Sequence, residues 1–170
     1  MNLLLAQVFA LLSSLCLLIS FWQKKRKNIL FFQMLDSLFD VFQYIFLGAY
    51  TASLISLLGS TRAYFFSKFN KKVFLYIFLL LYIISAIITF NGLITVIPLI
   101  AALIYTVVIW NKKEKYIRLY SILVFILWLT HDILVEAYVS SIVDLVIIIS
   151  NSIAIYKIDL KEKKLNRRYI

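Results

Sequence analysis

The chain consists of long apolar runs that are separated by breaks of only two to eight residues. An α-helix needs about 20 apolar residues to cross the roughly 30 Å hydrocarbon core of a bilayer. Each run comes close to this length, so we predict that each forms one transmembrane helix. The seven predicted helices are Leu3–Trp22, Ile29–Leu47, Tyr50–Phe66, Val73–Phe90, Leu93–Trp110, Leu119–Val135 and Tyr138–Tyr156.

The composition excludes an ordinary soluble domain. Hydrophobic residues make up 64% and charged residues 15% of the chain, against roughly 45–50% and 25% in soluble domains. The net charge of +10 does not indicate a nucleic-acid partner, because too few polar residues remain to build a soluble surface. The single Cys16 excludes a disulfide framework and a cysteine-based metal site, and we expect no cofactor. The predicted fold class is all-α, a polytopic membrane protein.

The basic residues fall on one side of the membrane if all seven helices cross it. Cytoplasmic loops are enriched in Lys and Arg, and alternating crossings bring 17 of the 18 Lys and Arg residues to one face. The breaks Gly48-Ala49, Asn91-Gly92 and Glu136-Ala137 form the other face and carry none. We therefore expect a multi-pass protein of the cell membrane with its N-terminus outside and its C-terminus in the cytoplasm. The basic tail, residues 158–170, is expected to contact anionic lipid headgroups.

An offset of 88 residues aligns the first three predicted helices with the last three without a gap. The aligned residues include Trp22, Lys24, Lys25 and Lys27 with Trp110, Lys112, Lys113 and Lys115, and Ala49, Tyr50 and Ser53 with Ala137, Tyr138 and Ser141. Equivalent points of the two repeats are four helices apart, and an even number of crossings returns the chain to the same side of the membrane. Both repeats therefore enter the membrane from the same side. The alternative is a chance alignment of similar helical hairpins.

The repeat predicts a division of the chain into two parallel three-helix bundles joined by a linker helix. The first bundle covers residues 1–68 and the second covers residues 93–157, with the linker transmembrane helix in residues 69–92 between them. Residues 158–170 form the basic cytoplasmic tail. The two bundles are expected to superpose about an axis along the membrane normal.

This arrangement resembles known membrane-protein families. The 3+1+3 pattern is similar to the SWEET, PQ-loop and KDEL-receptor superfamily. The basic break after helix 1, the run Tyr44-x-x-Leu47-Gly48-Ala49-Tyr50-Thr51 and the downstream Arg62 resemble the bacterial inner-membrane YgjV family. The resemblance implies a bacterial inner-membrane location and the passage of a small solute between the bundles, or a ligand-gated relative of it. Because SWEET-type helices bend at prolines and this chain has only Pro98, we do not predict sugar as the solute.

Helix 2 carries a polar face in otherwise apolar surroundings. A charge at the bilayer centre costs roughly 2.5–3.5 kcal/mol on insertion scales, so such groups normally face the protein interior. The spacing of these residues puts them on one helical face, and they are Gln33, Asp36, Ser37, Asp40 and Gln43. We predict that they line a polar cavity. The alternative is helix–helix hydrogen bonding, which explains Gln33 and Ser37 better than it explains two carboxylates four residues apart.

Helices 3 and 7 carry equivalent stripes. Ser53, Ser60 and Ser67 on helix 3 are expected to be close-packing positions. On helix 7 the same stripe contains Asp144 and Asn151, which need polar partners. We predict that both face the central axis and that Asn151 offers its amide to a polar solute near mid-depth.

Two further sites have open alternatives. Arg62 lies within snorkelling range of the cytoplasmic face; it either anchors to headgroups, or pairs with Asp36 or Asp40, or contacts an anionic substrate. Of the two carboxylates, Asp36 is the expected partner, because its depth is similar to that of Arg62. His131 and Asp132 in helix 6 are either a hydrogen-bonded pair at the outer rim or part of a proton relay, since His titrates near neutrality.

Two classes of function follow. The first is a transporter or facilitator of a small polar solute through a central pathway. The second is a non-transporting sensor or assembly protein that uses the same fold for packing. The chain has no Walker lysine and no His-Glu-x-x-His motif, so we do not expect an enzyme. Homo-oligomerisation is left open. A continuous polar cavity lined by Asp40, Asp144 and Asn151 would favour transport, and side chains buried in pairs would favour the second class.

Overall fold

The computed structural model describes residues 3–69, 71–110, 114–135 and 137–160. In these residues the chain forms seven α-helices, and no strand occurs there. Predicted and observed helices agree, mostly within one or two residues; the largest shift is five residues, at the start of α6. The helices are α1 (Leu3–Phe21), α2 (Arg26–Leu47), α3 (Tyr50–Lys68), α4 (Lys72–Ile88), α5 (Leu93–Trp110), α6 (Glu114–Leu134) and α7 (Tyr138–Ala154), with a π-helical extension at Ile155–Leu160.

Five of the described helices are long and apolar enough to cross a membrane: α1, α2, α5, α6, and α7 with its extension. Helix α4 is apolar but has only 17 residues. Helix α3 has 19 residues, yet a serine stripe and Arg62 lower its average hydropathy. The all-α membrane class is therefore confirmed, with five of the seven predicted spans meeting this criterion.

The distribution of polar and apolar residues between interior and surface is the reverse of that in a soluble protein. Large aliphatic side chains such as Leu93 and Ile88 are about three-quarters exposed, at 75% and 74%. Meanwhile Gln33, Asp36 and Arg62 are buried. Soluble domains almost never bury Asp or Arg fully, whereas a protein surrounded by lipid turns such groups inward.

Six of the helices pack in a ring. Helix α2 packs between α1 and α3, and α6 packs between α5 and α7. The ring is closed by contacts of α3 with α5 and of α7 with α1. Helix α4 lies outside it against α3 and α5. The division into residues 1–68, 69–92, 93–157 and 158–170 stays a prediction.

The basic breaks meet at one end of the ring. Arg26 donates from Nη1 to the carbonyl oxygen of Phe66 at 3.1 Å and from Nη2 to that of Ile109 at 3.2 Å. Arg118 Nη1 donates to the carbonyl oxygen of Gln23 at 3.2 Å. We call this the basic end. The predicted contributions of Lys112, Lys113 and residues 161–170 lie outside the described residues.

The opposite end is closed by tight turns. Gly48 ends α2 with a left-handed φ of 76°, a conformation that glycine adopts without steric cost. Its N–H bonds to the carbonyl oxygen of Ile45, and α3 begins only two residues later at Tyr50. Thr51 Oγ1 donates to the carbonyl oxygen of Thr89 at 3.0 Å, which joins this turn to the end of α4. Of the third predicted break on this side, Glu136 lies outside the described residues.

Candidate functional site

A cavity of about 100 Å³ lies inside the ring, and all seven helices contribute to its wall. A cavity of about 150 Å³ accommodates benzene, so this one is large enough for a small solute or several water molecules. Its wall contains Ala10, Ser13, Ser14, Leu17, Asp36, Ser37, Asp40, Gln43, Tyr44, Ile55, Ser56, Gly59, Arg62, Tyr82, Ala101, Ala102, Tyr105, Val124, Phe125, Trp128, Asp132, Ser140, Val143, Asp144 and Ile147.

Two carboxyl groups on α2 share one serine of α1. Ser13 Oγ lies 2.7 Å from Asp36 Oδ1 and 2.5 Å from Asp40 Oδ1. A hydroxyl group carries one proton and donates one hydrogen bond, and an ionised carboxylate cannot donate. Both contacts can be hydrogen bonds only if one of the two carboxyl groups carries a proton. The arrangement is therefore suited to hold one proton between Asp36 and Asp40, and such a proton would also remove the repulsion between two carboxylates.

The other two carboxyl groups of the wall come from the second half of the chain. Asp132 accepts a hydrogen bond from Tyr44 Oη at 3.3 Å and lies 2.9 Å from His131 Nδ1. Asp144 is 8% exposed, and its Oδ2 is buried with no hydrogen-bond partner among residues 3–69, 71–110, 114–135 and 137–160. The cavity thus contains one carboxyl group whose hydrogen-bonding capacity is unmet.

His131 and Asp132 do not form an exposed pair at the rim, because both are buried. The imidazole packs edge-on against Tyr44 and Trp128. Its ring centroid lies 6.3 Å from that of Tyr44 and 5.6 Å from that of Trp128. His131 also lines a second cavity, of about 550 Å³, at the end of the ring that contains Gly48 and Asn91. His131 therefore stands between that end and Asp132, which faces the central cavity.

Arg62 is 5% exposed and does not reach toward headgroups. Its Nη1 donates to Thr106 Oγ1 at 2.7 Å and to the carbonyl oxygen of Ala102 at 3.5 Å. Its guanidinium carbon lies 5.7 Å from the ring centre of Tyr82 and 5.3 Å from that of Tyr105. Among the described residues none accepts a hydrogen bond from its Nε.

The predicted ion pair of Arg62 with Asp36 or Asp40 is not formed in the described part of the chain. Ser60 Oγ donates to the carbonyl oxygen of Met34 at 2.9 Å, and Ser53 Oγ to that of Val41 at 3.1 Å. This antiparallel register sets Arg62 level with residue 32 of α2. Asp36 is four residues, or about 6 Å, closer to the opposite end, so the guanidinium turns to α5 instead.

The amides have different surroundings from each other. Gln43 lines the cavity, and its Nε2 donates to Ser140 Oγ, which joins α2 to α7. Asn151 is fully buried but does not line the cavity; its Nδ2 donates to the carbonyl oxygen of Arg118 at 2.7 Å. The predicted cavity residues Asp40 and Asp144 are therefore brought together, and Asn151 is not. Asn151 lies at about the level of Arg62, but its amide is turned toward α6, where it bonds to the Arg118 carbonyl oxygen.

Sequence reasoning missed Ser13 and the tyrosines of the wall. Tyr105 accepts a hydrogen bond from Gln33 Nε2 and lies 3.4 Å from Ser121 Oγ. The polar residues of α1 are few, namely Gln7, Ser13, Ser14 and Ser20, and none is charged. The signal that would have found these residues is the offset of 88.

The offset of 88 pairs most residues of the cavity wall with other residues of the same wall. Of the 25 wall residues, 20 form ten pairs whose numbers differ by 88. The pairs are 13/101, 14/102, 17/105, 36/124, 37/125, 40/128, 44/132, 55/143, 56/144 and 59/147. The paired residues Tyr44 and Asp132 bond directly to each other, and the equivalent residues Gln33 and Ser121 both contact the Tyr105 hydroxyl.

Paired positions of the wall differ in chemistry. Asp36 is paired with Val124, and Asp40 is paired with Trp128. Ser56 is paired with Asp144. The positions around the cavity are thus related, while each half supplies carboxyl groups at different places.

Comparison with known proteins gives one match. The family model Imp-YgjV, described as a bacterial inner membrane protein, matches residues 4–162. The match covers every helix of the ring and the whole cavity wall. No curated protein and no solved structure matches the chain.

Proposed function

The chain belongs to the Imp-YgjV family of bacterial inner membrane proteins, and we propose that it moves a small polar solute across that membrane through the central cavity. The observation that carries the proposal is a cavity walled by seven helices in which a carboxyl oxygen and a guanidinium nitrogen have no hydrogen-bond partner in the described part of the chain. Buried charges in a purely structural core are usually paired. Groups of opposite charge left unmatched around one space are suited to a passing solute.

The proposed pathway runs between two repeats, α1–α3 and α5–α7, that move relative to each other about the cavity. Its support is the pairing of wall residues by the offset of 88 and the matching contacts α3–α5 and α7–α1. Parallel repeats related by an axis along the membrane normal occur in transporters that alternate access to a central site. We propose a multi-pass topology with the basic end in the cytoplasm, which follows the positive-inside rule.

We further propose that transport is coupled to protons. The Asp36–Ser13–Asp40 arrangement is suited to hold one proton at the cavity wall. His131 bonds to Asp132 on the same wall and also lines the cavity at the opposite end from the basic breaks. An imidazole has two ring nitrogens, of which one can accept a proton while the other donates one, so His131 is placed to pass protons between that end and the central carboxyl groups.

Flux measurements test the proposal. Proteoliposomes are compared with protein-free liposomes for swelling in a panel of small polar solutes, including amino acids, sugars and vitamins. Ser14→Phe fills the cavity wall, whereas Ser152→Phe adds the same ring to an exposed position of α7. We expect wild type and Ser152→Phe to admit at least one solute and Ser14→Phe to admit it about tenfold more slowly or less.

Two results would contradict transport. One is a wild-type rate equal to that of protein-free liposomes for the whole panel, which would favour a sensor or assembly role. The other is an equal rate for Ser14→Phe and Ser152→Phe in folded protein, which would place the pathway outside the cavity.

A further inference from the structure

Two unmatched groups of opposite charge line the same cavity. Arg62 Nε and Asp144 Oδ2 are both buried without a hydrogen-bond partner among the described residues. Both side chains are more than nine-tenths buried, at 5% and 8% exposure, and both belong to the wall. A buried polar atom left unpaired costs about 1–3 kcal/mol, and more when it is charged. A ligand that carries complementary groups removes both costs together.

Arg62 and Asp144 do not neutralise each other. Gln43 of α2 bonds to Ser140 of α7, and the α2–α3 register sets Gln43 level with residue 51 of α3. Asp144, four residues nearer the basic end than Ser140, is then level with residue 55. Seven residues separate that level from Arg62, which is about 10 Å along the helix axis. The cavity lies between the two groups.

The surroundings of Arg62 favour a carboxylate. Tyr82 and Tyr105 lie close to the guanidinium group, and Nη1 is engaged by Thr106 and the Ala102 carbonyl. Nε is still without an acceptor. The N–H groups of an arginine match the two oxygens of a carboxylate in geometry.

The size of the cavity limits the ligand. Its volume of about 100 Å³ is two-thirds of that which accommodates the six carbon atoms of benzene. The ligand therefore has about four or five non-hydrogen atoms. A simple anion of this size leaves Asp144 unmatched, and a simple ammonium ion leaves Arg62 unmatched.

We propose that the cavity binds a small zwitterion of the glycine class, with its carboxylate on Arg62 and its ammonium group on Asp144. This inference rests on the proposed function, since it names the substrate class of the same cavity. It is tested by binding rather than by flux, so that the two can fail separately.

The experiment measures binding of radiolabelled glycine to the purified protein in nanodiscs. Acetate and methylammonium, which each carry one of the two charges, serve as competitors. We expect either to compete about tenfold or more weakly than unlabelled glycine, because each leaves one buried charge unmatched. Competition by acetate or methylammonium equal to that by glycine overturns the zwitterion, as does the absence of glycine binding to wild type.

Substitutions test which residue binds the carboxylate of glycine and which binds its ammonium group. Arg62→Gln and Asp144→Asn are each expected to weaken glycine binding about tenfold or more. Thr61→Ala and Ser152→Ala are exposed neighbours on the same two helices and should stay within about twofold of wild type. Arg62→Lys keeps the charge but loses the planar fork, so it replaces Arg62→Gln if that variant does not fold. Wild-type affinity in folded Arg62→Lys or Asp144→Asn contradicts the assignment.

The two proposals give separable outcomes. Glycine binding without flux of any solute leaves the zwitterion site standing and removes transport. Flux of another solute without glycine binding leaves transport standing and removes the zwitterion.

Discussion

At the scale of single residues, the serine shared by two carboxyl groups is the feature with the clearest chemical consequence. Ser13 lies within hydrogen-bonding distance of Asp36 and Asp40, so that a proton on either carboxyl group allows both hydrogen bonds at once. We expect Asp40→Asn to fold normally, because an amide can still bond to Ser13. Its uptake should lose at least about nine-tenths of the stimulation by an inward proton gradient, since no carboxyl proton remains at this position.

Uptake by Asp40→Asn proteoliposomes with and without the gradient measures this effect, with Thr130→Ala on the exposed face of α6 as control. Stimulation equal to that of wild type in a monodisperse Asp40→Asn sample would remove Asp40 from proton coupling. Asp36→Asn should behave like Asp40→Asn. The structure gives no reason for a separate loss of stability, because Asp36 is not the partner of Arg62.

At the scale of helices, the sequence was sufficient for most boundaries. Charged or Gly and Asn breaks interrupt each apolar run, and the helices begin and end within a few residues of them. The boundaries of α3 were also predicted, but its average hydropathy is below that of a typical span, because this average does not register that the serines and Arg62 face inward.

Periodicity brought four of the five predicted residues of α2 to the cavity, namely Asp36, Ser37, Asp40 and Gln43. Gln33 does not line it and bonds to Tyr105 instead. Periodicity could not identify the partner of Arg62. Depth in the membrane follows from counting residues, but which neighbouring helix lies at that depth depends on the packing of the whole ring. The cavity position predicted for Asn151 could not be checked from the sequence for the same reason: its amide bonds to the Arg118 carbonyl oxygen of α6 and does not line the cavity.

A close approach of α3 to α2 and α4 at Gly59 gives a prediction for an element. A Cβ atom on Gly59 would lie 3.3 Å from Ser37 Oγ and 3.7 Å from Tyr82 Oη. Overpacking of this kind costs about 1–3 kcal/mol, and the better helix propensity of alanine returns up to about 1 kcal/mol. We expect Gly59→Ala to reduce the free energy of unfolding by about 1 kcal/mol.

A double-mutant cycle checks the cause. In the Ser37→Ala background the hydroxyl oxygen is absent, so Gly59→Ala should become neutral or stabilising there. Unfolding in mixed micelles measures all four proteins, and a coupling energy of about 1 kcal/mol is expected between the two positions. Additive effects of the two substitutions would show that the approach of α3 to α2 does not restrict position 59.

At the scale of the whole molecule, the distribution of charge and the arrangement of the ring agree. The basic breaks that contain Arg26 and Arg118 are joined by hydrogen bonds at one end, and the tight turn at Gly48 lies at the other. The sequence alone predicted this separation, because the positive-inside rule depends only on the order of charges and helices. It could not predict the cavity, which forms only when seven helices contribute residues that are far apart in the chain.

The topology depends on α3 and α4, the two helices that do not meet the length and hydropathy criterion for a span. If both cross the membrane, Lys71 between them lies in the cytoplasm and Asn91 after them lies outside. If neither crosses, both residues lie outside, and Lys68, Lys71 and Lys72 would be on the wrong face for the positive-inside rule. These two positions are exposed in the structure, so each is suited to chemical labelling.

The test uses single cysteines in a Cys16→Ser background and a membrane-impermeant maleimide on intact cells. We expect Asn91→Cys to be labelled directly and Lys71→Cys only after permeabilisation, because a crossing α3 and a crossing α4 put them on opposite sides. Lys25→Cys, in the basic break after α1, serves as the cytoplasmic control and should match Lys71→Cys. Direct labelling of Lys71→Cys would mean that α3 and α4 do not cross, which would leave five spans and break the parallel relation between α1–α3 and α5–α7.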